Sequence, residues 1–417
     1  MTPVPQPFHR IARTLAAALA ALYLLPAHAA PGQDRCSQVP EISRQLAQIT
    51  GLPLRHPVPC RFIDKLQVNA FLKKRLKEES TPEDIRGEEL TLKKFGLVPA
   101  DYDLAGSTVD LLTEQAAAFY DYNARKLFLT DSSSGESGDT VLAHELAHAL
   151  ADQNFHLARY IERGRQSDDG SSARLSVMEG QATWLMNEYA ARRRGQTLFG
   201  NPALAASMAG ATDSGAGEFP VFDSAPLYLR RSLMFPYVEG MAFQTAVLER
   251  DHLRGFAEVF TDPPVSTQQI LHPEKYFAKV IPTAPALPDP GLPRGYKLLV
   301  RGELGELEHA ILLEQYAGKP QARDIAPHWR GCRFELIENK KLARVVLVYA
   351  VEWDDEQSAA SYFSLYRQAL AKKWRHMTVG AETPTRVTGL GDDGRFDLRR
   401  DGALVTSVEG TDPAGVR

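Results

Sequence analysis

His144-Glu145-Leu146-Ala147-His148 lies inside a stretch, Thr140 to Phe155, that contains neither glycine nor proline. No other feature constrains the chain as tightly. Residues four apart lie on one helical face, so a helix here presents both imidazoles to a single point. Alanine and leucine, both strong helix formers, dominate the stretch. Upstream, the Ser-, Gly- and Asp-rich run from Asp131 to Asp139 supplies loop residues and candidate N-caps. Val141, the two histidines and Asp152 recur at three- and four-residue intervals on one stripe, and Ala143, Ala147 and Ala151 are small enough for close packing beside it. The plain alternative is a buried helix whose histidines only satisfy hydrogen bonds. Two histidines at this spacing with a glutamate between them argue against it.

That spacing is the start of a zinc site, which needs three protein ligands and an open fourth position for water. Glu145, next to the first ligand, is placed to take a proton from that water, the chemistry of peptide hydrolysis. The expected third ligand is Glu179 in Val177-Met178-Glu179-Gly180-Gln181-Ala182. A second helix is predicted from about Ala173 to Arg193, after the polar break Gln166–Ser172. Its apolar stripe runs through Leu175, Met178, Ala182, Leu185 and Tyr189. Glu179 borders that stripe, where a carboxylate is costly without a cation or hydrogen-bond partner. An ordinary ion pair at the helix rim is the competing reading, and Glu188 is the reserve ligand. A tetrahedral oxyanion needs a donor besides the metal. Tyr237 and His272 are the candidates, against plainer roles as a partly buried aromatic and a turn stabiliser at Pro273.

The motif followed by a glutamate on the next long helix resembles the gluzincin branch of zinc metallopeptidases. More narrowly, the chain resembles a group of exported metallopeptidases. The shared pattern runs through Phe95-Gly96-Leu97-Val98-Pro99, Ala118-Phe119-Tyr120-Asp121, the histidine helix, Glu179-Gly180-Gln181-Ala182, Pro236-Tyr237-Val238-Glu239-Gly240 and Leu271-His272-Pro273-Glu274-Lys275-Tyr276. It covers roughly Arg61 to Tyr276 well and the C-terminal portion loosely. Gluzincins commonly carry an Asp four residues after the ligand Glu, and here that position is Thr183. Asp152 is the expected replacement, accepting an N–H from a ligand histidine. The resemblance also implies that an extended substrate lies along an edge strand beside the metal helix. A hairpin is legible there, with Ala117–Tyr120 and Lys126–Leu129 flanking Asp121–Arg125.

Composition sets the class. With 417 residues, 44% hydrophobic and 24% charged, the chain has the make-up of a soluble globular protein of two domains. Arg10 and Arg13 precede an apolar run from Leu15 to Leu25, and Ala27-His28-Ala29 fits a signal-peptide cleavage site. Residues 1–29 hold two positive and no negative side chains, so their removal takes the formal charge from −4 to −6. A mildly acidic protein has no electrostatic reason to seek nucleic acid or anionic lipid. The expected location is therefore periplasmic or extracellular. There Cys36 and Cys60 are expected to pair, leaving Cys332 as a lone thiol. No two cysteines have metal-ligand spacing.

Helices are predicted at Arg61–Glu79, from Thr81, and at Glu88–Lys94 and Thr108–Gln115, then at Leu227–Leu253 with a break near Pro236. The stretch Gly195–Ser224, with Gly210–Gly217 at its heart, reads as a loop. A short helix is expected between Pro263–Thr267 and Pro273. Five prolines between Pro282 and Pro293 mark an extended linker. Beyond it come a helix at Leu304–Tyr316, strands at Phe334–Ile337 and Arg344–Val351, an amphipathic helix at Asp355–Lys373, and short strands after Gly391 and Gly402. The expected fold is α+β: signal peptide 1–29, a mainly helical zincin-like domain 30–281 with a small hairpin, linker 282–293, and a small α+β domain 294–417. The expected function is a one-zinc exported peptidase acting on peptide or protein. The alternatives are an amidase for cell-wall peptides or a non-catalytic zinc-binding module.

Overall fold

The computed structural model describes residues 35–130, 138–210 and 219–412. The expected signal peptide and most of Gly210–Gly217 lie outside these. The chain is α+β, a helical N-terminal part followed by a domain built on an antiparallel sheet. Among the described residues no helix is long and apolar enough to cross a membrane.

Three helices form the frame of the N-terminal part. The histidine helix spans Gly138–Phe155, the Glu179 helix Asp168–Arg192 and the Pro236 helix Leu227–Asp251. The Glu179 helix begins five residues earlier than predicted, inside the polar break. Ser167 caps it by accepting from Gly170 N, and Asp168 and Asp169 occupy its first turn, where carboxylates favour the positive end of the helix dipole. The Pro236 helix is continuous rather than broken at its proline. The Glu179 and Pro236 helices touch backbone to backbone. A Cβ on Gly180 would lie 2.2 Å from the Gly240 carbonyl, and one on Gly240 would lie 2.3 Å from Ser176 O. Only glycine permits that approach.

A three-stranded sheet, β1 (Cys60–Phe62), β2 (Ala118–Asp121) and β3 (Lys126–Leu129), has the order β1-β3-β2. β1 runs parallel to β3 and β2 antiparallel to it, so β2 is an edge. The predicted helix at Arg61–Glu79 is thus shortened to Lys65–Glu79, capped by Asp64, because Cys60–Phe62 pairs with β3. Cys36 and Cys60 form a disulfide that joins the start of the described chain to β1, and Cys332 is a buried free thiol. Within the stretch expected to be loop, Pro202–Gly210 and Pro220–Ser224 are helical.

The C-terminal sheet holds seven strands: β4 (Lys297–Gly302), β5 (Trp329–Asn339), β6 (Arg344–Trp353), β7 (Thr378–Thr383), β8 (Arg386–Gly391), β9 (Gly394–Asp401) and β10 (Leu404–Thr411). Their order is β4-β5-β6-β10-β9-β8-β7. Helices Glu306–Ala317 and Glu356–Lys373 cover one face, with Tyr349, Trp353, Tyr362 and Tyr366 fully buried between. The proline segment is extended but not free: Thr283 N donates to Arg330 O (2.8 Å), and a Cβ on Gly331 would strike Thr283 O. Three helix N-termini, at Ser167, Ser266 and Gly305, meet where the two parts join. Their amides take up acidic side chains: Thr267 N donates to Asp169 and Gly305 N to Glu308.

Candidate metal centre

One turn of the histidine helix brings His144 and His148 into register, and the neighbouring helix adds Glu179. His144 Nε2 lies 3.1 Å from His148 Nε2 and 3.2 Å from Glu179 Oε2, and His148 Nε2 lies 3.3 Å from the same oxygen. Exposure of the three is 1%, 2% and 0%. Three electron-pair donors face one another in a nearly equilateral triangle. A tetrahedral ion with bonds of about 2.0–2.1 Å has ligand–ligand edges of about 3.3 Å, so the triangle has the dimensions of one face of such a site. Among the described residues this is the one group of three or more His, Cys, Asp or Glu side chains close enough to share an ion. Glu179 Oε1 is buried and accepts no hydrogen bond among the described residues. Such an atom is costly without a cation nearby, so the donor set fits a divalent ion. Burial alone would push the Glu179 carboxyl up, but the facing imidazoles of His148 and His144 outweigh it and hold it below the ordinary value.

Glu145 is fully buried beside this triangle. Tyr120 N, on the edge of β2 away from β3, donates to its Oε2 (2.7 Å), while Oε1 accepts nothing among the described residues. Burial pushes its pKa up to about 8, with Glu179 adding to the rise and His148 and the Tyr120 amide opposing it. A buried carboxyl with one oxygen anchored and the other unengaged has the arrangement that a general base requires.

Tyr237 comes to the triangle, its ring stacked on that of His144 with centroids 6.0 Å apart. Pro236, Tyr237, Leu233, Leu175 and Leu112 wall a small apolar cavity beside Glu179. His272 does not join them. Its Nε2 pairs with Glu306 (2.8 Å), and it lines a different cavity on the side of the C-terminal domain. Asp152 was expected to accept from a ligand histidine, yet its oxygens accept from Tyr120 Oη (3.0 Å) and Leu157 N (2.9 Å). The chain turns at His156 with φ 57°, which aims the Leu157 amide back at Asp152 and draws that carboxylate to the end of its helix. Glu188, the reserve ligand, is bound by Arg192, Thr197 and Leu198 N instead. Tyr120 is the residue that sequence reasoning passed over. Its amide holds Glu145 and its hydroxyl holds Asp152, and the alternating hairpin pattern marked the strand without marking that role.

A family model for a domain of unknown function, DUF8575, matches residues 297–417, which is the sheet domain from β4 onward. No curated protein and no solved structure matches the chain.

Proposed function

We propose that the protein is a zinc-dependent hydrolase of peptide bonds, with His144, His148 and Glu179 as metal ligands and Glu145 as general base. The observation that carries this reading is the triangle of donor atoms beside a buried carboxylate with one unengaged oxygen. Structural zinc sites are closed and commonly Cys-rich, whereas two imidazoles and a carboxylate leave a vertex open. When bound, the ion supplies Lewis acidity to a carbonyl and lowers the pKa of water. Glu145 Oε1 takes the proton from the attacking water and later gives it to the leaving amine, while the Tyr120 amide keeps the other oxygen in place. Tyr237, against the face of His144, is the candidate hydroxyl for the developing oxyanion. β2, an edge strand among the described residues, runs beside the base, which supports an extended peptide as substrate. The signal-like N-terminus and the disulfide support action outside the cytoplasm. Digestion of a mixed peptide library, read by mass spectrometry, tests the reading. New termini should form and vanish with a zinc chelator. An intact library with a metal-loaded protein overturns it.

A further inference from the structure

A cavity of ≈ 450 Å³ lies on the opposite side of the Pro236 helix, between that helix and Glu306–Ala317 and Lys319–Ile325 of the C-terminal domain. Its size falls in the range of small-ligand sites, about 300–1,000 Å³. Met234, Val238, Leu271, Leu307 and Ile311 give it an apolar wall. Phe235 lines both this cavity and the small one beside Glu179.

The charges lining it cancel in part. Arg231 pairs with Glu314 (2.7 Å), Lys319 lies 4.0 Å from Glu314, and His272 pairs with Glu306. Two groups of opposite sign, Glu239 and Arg323, line it without a direct ion pair or hydrogen bond among the described residues, although Arg231 and His272 lie near enough to act on Glu239. Glu306 offers the cavity no acceptor, since Oε1 is taken by His272 and Oε2 is sealed inside the protein. The wall thus suits an apolar body that carries one positive and one negative group.

We propose that this interdomain cavity binds a short apolar peptide with free termini, its ammonium on Glu239 and its carboxylate on Arg323. The site needs no metal and no hydrolysis, so it stands apart from the activity proposed above.

Calorimetry on the full chain carrying Glu145→Gln, which spares the probe, tests it with tri-leucine. Saturable one-site binding is expected, weakened at least tenfold when the same peptide is N-acetylated and C-amidated. Glu239→Gln and Arg323→Ala should each cost at least tenfold on free tri-leucine, and Arg323 is exposed, so its variant carries little folding risk. His148→Ala should bind tri-leucine as before. Absence of binding, equal binding of the blocked peptide, or unchanged affinity in either cavity variant overturns the proposal. Loss of binding in His148→Ala also overturns it, since the peptide would then occupy the metal centre.

Discussion

At the scale of single residues, His144, Glu145 and His148 share one turn of helix yet face different partners. In the proposed site His144 and His148 would give imidazole lone pairs to the ion, whereas Glu145 keeps one oxygen on the Tyr120 amide and the other unengaged. Glu145→Gln preserves shape but cannot accept a proton. Hydrolysis should fall by about 10²–10⁴-fold, with the metal retained. Equal turnover in Glu145→Gln would remove the residue from the chemistry. Tyr120→Phe should be milder, since the amide that holds Glu145 remains and only the bond from the hydroxyl to Asp152 is lost. A selective fall in kcat at unchanged metal content is the expected outcome for that variant. A change in metal content instead would give Asp152 the histidine-supporting role that its bonds do not show.

Among the elements, the contact between the Glu179 and Pro236 helices decides where Glu179 and Tyr237 stand. A methyl at residue 180 must displace the Gly240 backbone. Gly180→Ala should therefore lose about 1–3 kcal/mol or more by overpacking, measured by denaturant unfolding, and should weaken metal binding alongside. Unchanged stability would mean the helices can part without cost. The histidine helix was legible because its period, composition and flanking loop residues all agreed. The start of the Glu179 helix was not, since Asp168, Asp169 and Gly170 read as loop even though they form its capped first turn. Strand β7 went unseen because all six of its residues are exposed, so no alternation marks it. Strand β1 is three residues long and was absorbed into the helix after it. Tyr237 could be placed beside His144 only once the glycine contact fixed the helix crossing. His272 was drawn away by Glu306, a partner 34 residues on that belongs to another domain.

Across the whole molecule, stability should depend on redox state and pH in opposite parts of the chain. The disulfide closes a loop with a sequence separation of 24, and a loop of that length is worth roughly 3–4 kcal/mol in the chain-entropy picture. Cys36→Ser with Cys60→Ser should lose most of that in thermal unfolding, and a wild-type midpoint in the double variant would contradict the estimate. In the C-terminal core His309 donates from Nδ1 to Gly305 O and accepts at Nε2 from Tyr349. Burial holds its pKa down at about 4. The folded state therefore keeps the neutral ring while the unfolded chain takes up a proton below about 6.5. This stability is present above pH 6.5 and is lost as pH falls toward 4, by about 3 kcal/mol in all. His309→Gln should flatten that slope, and an unchanged slope would place the acid sensitivity elsewhere. All of this surrounds one claim, that a divalent ion is held by two imidazoles and a carboxylate. Elemental analysis of the purified protein after dialysis against zinc tests it most directly. One ion per chain is expected in the wild type and in Glu145→Gln, and none in His148→Ala or Glu179→Ala. A folded wild type that takes up no metal, or a His148→Ala protein that keeps it, would contradict the account.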